Sequence, residues 1–72
     1  MLVMRESRSD ARDLRLIREM SLEIVSETTT KKRRDKCWDS LIAACDRYAL
    51  RHEMDSAALV RLSVKKAREA RQ

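Results

Sequence analysis

The chain has no glycine, no proline and no phenylalanine among its 72 residues, and its aromatic residues are one Trp and one Tyr. Average usage is about 7% glycine and 5% proline, so these absences carry information. Without glycine there is no Gly-rich loop to cradle a phosphate, and tight turns with positive φ are not expected. Without phenylalanine the core must be assembled from Leu, Ile, Val, Met and Ala. A chain this short buries only about 60% of the surface its unfolded form exposes. Chains of this size often gain stability by pairing with a second copy or a partner.

Long apolar runs are missing too. None approaches the ~20 residues of a membrane span. Met1-Leu2-Val3-Met4 is too short for the apolar region of a signal peptide and is ended by Arg5. A membrane-surface helix would need bulky apolar residues opposite a basic face, whereas the last third of the chain offers Leu59, Val60 and Val64 among alanines. The expectation is a cytoplasmic protein without a membrane partner. Cys37 and Cys45 are eight residues apart, about 12 Å along one helix, and cannot form a disulfide with each other. They read as two buried, reduced thiols. Cys37, Cys45 and His52 together span more than ~20 Å of helix, too far for one metal ion, and no CxxC or HxxxH occurs. No paired carboxylates stand in an apolar setting and no Ser or Cys has a recognisable base nearby. The sequence therefore predicts no enzyme activity, no metal and no cofactor.

What is present is charge, at 40% of residues, interleaved with apolar residues at helical spacing. This predicts an all-α, small three-helix domain over residues 1–72, dimeric, with helices at about 9–27, 31–52 and 56–70. Residues 1–8 have no period and read as a flexible arm or interface segment. Ser7 or Ser9 can cap the first helix, with Asp10 and Asp13 in its first turn, where the helix dipole favours acids. Leu14, Leu16, Ile17, Met20, Ile24 and Val25 give this helix a wide apolar face, with Leu22 outside it. Thr28-Thr29-Thr30 lowers helix propensity and Thr30 can cap the next helix. Lacking Gly and Pro, the break is soft, and one helix from Ser9 to His52 is the alternative. The second helix places Trp38, Leu41, Ile42, Cys45, Tyr48 and Ala49 on one side as the centre of the core, while Leu50 points away. Asp55 or Ser56 caps the last helix, whose apolar side is Leu59, Val60, Ser63, Val64 and Ala67. The link at 52–55 is short enough for an antiparallel pair or a helix-turn-helix-like corner.

Three features bear on function. The run Lys31, Lys32, Arg33, Arg34 puts four cations at a helix start, against the dipole, while Glu19, Glu23 and Glu27 end the preceding helix equally against it. Either these mismatches offset each other across the Thr turn, or the helix start binds an anion such as phosphate. In the last helix Arg61, Lys65 and Arg68 fall at i, i+4 and i+7, one strip beside the apolar side, flanked by Lys66 and Arg71. They suit the C-terminal end of a helix dipole as well as a polyanion. Between Cys45 and Val64 the apolar spacing (Ala49, Met54, Leu59, Leu62) resembles that of a DNA-reading helix-turn-helix, with Glu53 in place of the usual turn glycine and His52 where an apolar residue is common. That resemblance implies that Ser56, Ala57, Ala58 and Arg61 approach base edges and Lys65 the backbone.

The sequence thus leads to two functions. One is a small basic nucleic-acid-binding accessory or regulatory protein, holding DNA in preference to RNA through Lys31, Lys32, Arg33, Arg34, Arg61, Lys65 and Arg68. The other is a helical adaptor or inhibitor that binds an acidic partner protein, or itself as a homo-oligomer, through surplus apolar surface at Leu22, Leu50, Leu62 and the Met1–Met4 arm.

Overall fold

Thr30, Glu53 and Asp55 set the limits of the helices. In a computed structural model of the chain, which describes residues 8–71, three helices occur: α1 (Arg8–Ile24), α2 (Lys31–His52) and α3 (Ser56–Arg71), with no strand among the described residues. The Thr30 hydroxyl accepts from the Arg33 N–H at 3.2 Å and so caps α2. The Asp55 carboxylate accepts from the Ala57 N–H at 3.0 Å at the start of α3. Ser9 lies inside α1, and Ser7, the other candidate cap, lies outside the described residues. So does the Met1–Met4 arm.

The soft break at the threonines is a real one, which rules out a single helix from Ser9 to His52. It begins earlier than residue 27, because α1 ends at Ile24. From there Ser26 N–H bonds back to the Glu23 carbonyl at 3.1 Å, and the Thr29 hydroxyl donates to the same carbonyl at 2.8 Å. Side chains close this turn where glycine is lacking. At the other corner the missing glycine is replaced by strain. Glu53 takes φ 52°, ψ 48°, the left-handed conformation, and its N–H and that of Met54 both return to the Ala49 carbonyl. Positive φ was not expected from a glycine-free chain; Glu53 adopts it at a cost of about 1–2 kcal/mol.

α1 runs antiparallel to α2: Asp10 and Asp13 meet Arg51 at one end, and Glu23 meets Arg33 at the other. α2 and α3 are also antiparallel. Ser56 hydrogen-bonds Asp46 near the corner, and Val64 still shares a groove with Trp38. Each helix has by then advanced eight residues, about 12 Å. The corner at 52–55 therefore produces a helical hairpin, and Leu62, inward in the helix-turn-helix spacing, is 49% exposed.

Leu41 and Cys45 are completely buried at the centre, ringed by Ile17, Ile24, Cys37, Ala44 and Val64, with Trp38, Tyr48, Leu59 and Val60 packed around them. The buried stripe of α2 is rotated by roughly 40° from the one expected, at 100° per residue. Cys37 and Ala44 enter it, while Ile42 lies on its outer edge and is 45% exposed. The rotation follows from α1, which covers the flank carrying Cys37 and Ala44. On α3 the expected apolar side is the observed one, with Val64 and Ala67 buried. No described helix is long and apolar enough to cross a membrane.

Candidate nucleic-acid interface

The buried stripe of α1 is Asp10, Asp13, Ile17, Ser21 and Ile24, so two carboxylates occupy core-facing positions. They are matched from α2. Arg51 Nε donates to Asp10 at 2.8 Å and its Nη2 to Asp13 at 2.5 Å. Arg47 donates twice to the other Asp13 oxygen, at 3.2 and 3.0 Å, and His52 Nε2 lies 3.0 Å from Asp10. The Arg51 guanidinium carbon lies 6.0 Å from the centroid of the Tyr48 ring, which is itself 4.3 Å from that of His52. Burial alone would push the Asp10 carboxyl up, but hydrogen bonds from Arg51 and His52 hold it below 3.8. For Asp13 the Arg51 hydrogen bond outweighs burial, with Arg47 adding to it. Sequence reasoning placed these acids at the helix dipole and missed their partners. The signal was their register with Ile17, Ser21 and Ile24.

The basic run at the start of α2 is divided by the geometry. Arg33 turns toward α1 and pairs with Glu23 at 2.5 Å, which raises the Arg33 pKa and lowers that of Glu23. Arg34 is half-buried and its Nη2 donates to the carbonyls of Ser26 and Thr29, at 3.3 and 3.2 Å. These two arginines bring positive charge to the turn that follows α1, which has no basic residue in its own last turn. Lys31 and Lys32 are exposed. Lys31 lies two turns, about 10 Å, from Trp38 on the same face, whereas Lys32 projects about 100° away from Lys31.

The strip on α3 has a different setting. Arg61, Lys65 and Arg68 line an open groove of about 400 Å³ with Val60 and Val64, and the opposite wall is Trp38 of α2. All three cations are exposed, and none forms an ion pair among the described residues. The net charge of +5 is therefore distributed unevenly. Arg33, Arg47 and Arg51 are matched internally by Glu23, Asp13 and Asp10, while α3 carries five cations against Glu69 alone. Asp35 and Asp39 are exposed on α2; at 100° per residue they lie about 60° and 100° from Trp38 and limit the positive field beside it.

The expected apolar contact residues lie in different settings, with Leu62 49% exposed on α3. Leu50 is 83% exposed, whereas Leu22 is half-buried and lines a groove with Leu14, Ile17, Ala67 and Ala70 between α1 and α3. A feature that sequence reasoning missed is the outer face of α1, where Arg8, Arg12, Arg15 and Arg18 are all exposed. Their spacing of four, three and three residues was the legible sign. No group of three or more side chains able to hold a metal ion occurs among the described residues. No family model, curated protein or solved structure significantly matches this chain.

Proposed function

We propose that the protein is a small nucleic-acid-binding accessory or regulatory factor whose contact surface is the α2–α3 groove. The observation that carries this reading is the unpaired strip Arg61, Lys65 and Arg68 facing Trp38 across one groove. A polyanion supplies the counter-charge that the chain itself provides elsewhere. Lys31 extends the strip beyond Arg68, level with the end of α3, while Arg33 and Arg34 contribute through the turn they hold together. The hairpin geometry does not favour insertion of α3 into a major groove, so the contacts are with phosphates first. Fluorescence polarisation with labelled oligonucleotides at about 50 mM salt tests this. Wild type binds, and R61E/K65E/R68E does not, with the helical circular dichroism unchanged. Equal binding by the variant removes the basis of the proposal.

A second reading is favoured by Leu50, an aliphatic side chain 83% exposed on the outer face of α2. Such a residue suits self-association or docking on a partner protein, and the basic α3 would steer an acidic one. Leu50→Arg should then lower the mass measured by light scattering, or abolish capture of that partner, without unfolding the chain. An unchanged mass and unchanged capture exclude it.

A further inference from the structure

We infer that the groove takes single-stranded nucleic acid, with a base stacked on Trp38. This rests on the nucleic-acid reading above and names the form of ligand. The sole tryptophan of the chain is the one aromatic in the groove, and its position there is fixed from behind. It packs on the core beside Leu41 and Cys45 while keeping surface open between α2 and the cations of α3. A half-buried ring held in this way costs little entropy to use as a platform, and every base offers a π-face to it. Cations along one wall and an aromatic on the other are the two parts of a single-strand site: phosphates track Arg61, Lys65 and Arg68 while a base turns inward. In a duplex the base faces are already stacked on one another, and Trp38 would have nothing to receive. The neighbouring Val60 and Val64 give the inserted base an apolar floor. Lys31, about 10 Å along the same face of α2, continues the phosphate path beyond the ring.

Because Trp38 is the only tryptophan, its own fluorescence reports the contact. The full chain is titrated with an unlabelled oligothymidylate and with a duplex of matched length, and labelled versions are followed by polarisation in parallel. The expected result is quenching of Trp38 by the single strand and not by the duplex. In polarisation, Trp38→Leu should weaken single-strand binding roughly 5- to 150-fold, with Trp38→Phe closer to wild type. Circular dichroism confirms that each variant is folded, and the wild-type quenching is independent of either variant. Binding without any change in Trp38 emission, or duplex bound as tightly as the single strand, overturns the single-strand site while leaving nucleic-acid binding in place. Failure of every oligonucleotide to bind overturns both.

Discussion

Arg51 Nη2 lies 2.5 Å from Asp13 Oδ2, joining positions 38 apart in the sequence. With Asp10, Arg47 and His52 it ties the start of α1 to the end of α2. Asp13 is 3% exposed, so removing a partner leaves a core-facing charge without its match. The pKa of both aspartates is lowered from 3.8 in the folded chain. Groups lowered on folding contribute stability that is complete above the unfolded value and is lost as pH falls through the folded one. Melting followed by circular dichroism should show a Tm steady from neutral pH to about pH 5 and falling progressively below 3.8. Asp13→Ala should lower the Tm at pH 7 by several degrees and flatten that acid dependence. A variant with an unchanged acid limb would mean the strap contributes nothing.

The left-handed Glu53 gives a prediction of opposite sign. Glycine there would relieve the clash of Cβ with the backbone, offset in part by the greater freedom of the unfolded chain. Glu53→Gly is expected to raise stability by about 0.5–1 kcal/mol in urea unfolding.

The rotation of the α2 stripe is tested by two neighbours. Leu41 is fully buried and Ile42 is 45% exposed. Leu41→Ala should cost about 2–5 kcal/mol through its cavity, and Ile42→Ala well under half as much. Equal costs would return Ile42 to the core.

Both thiols are buried, and burial together with the neighbouring Asp46 pushes the Cys45 thiol up to about 11. In the native protein at pH 8, reaction with a disulfide reagent should be slow for both cysteines and become fast in denaturant.

Much of the fold was legible because its boundaries are local. Thr30 and Asp55 are capping residues, and α2 begins and α3 ends within a residue of expectation. The end of α1 was placed three residues late because the turn after Ile24 is closed by the Thr29 hydroxyl and the Arg34 guanidinium, contacts that sequence spacing does not reveal. The site was legible in part. The α3 strip could be read from its period, but its facing residue, Trp38, lies on another helix. The run Lys31 to Arg34 looked like one cluster; consecutive residues on a helix project about 100° apart, which sends Arg33 to Glu23 and leaves Lys31 on the Trp38 face. The Asp10–Asp13 strap depends on partners more than thirty positions away, which no local pattern specifies.

Whether the unpaired basic strip on α3 holds a polyanion is read most directly from the salt dependence of binding. Contacts from Arg61, Lys65, Arg68 and Lys31 to a single strand should give a slope of log K against log salt of about −3. Removing one of these cations should make it shallower by about 0.7. A slope near zero, or one unchanged in Lys65→Ala, would contradict this role of the strip.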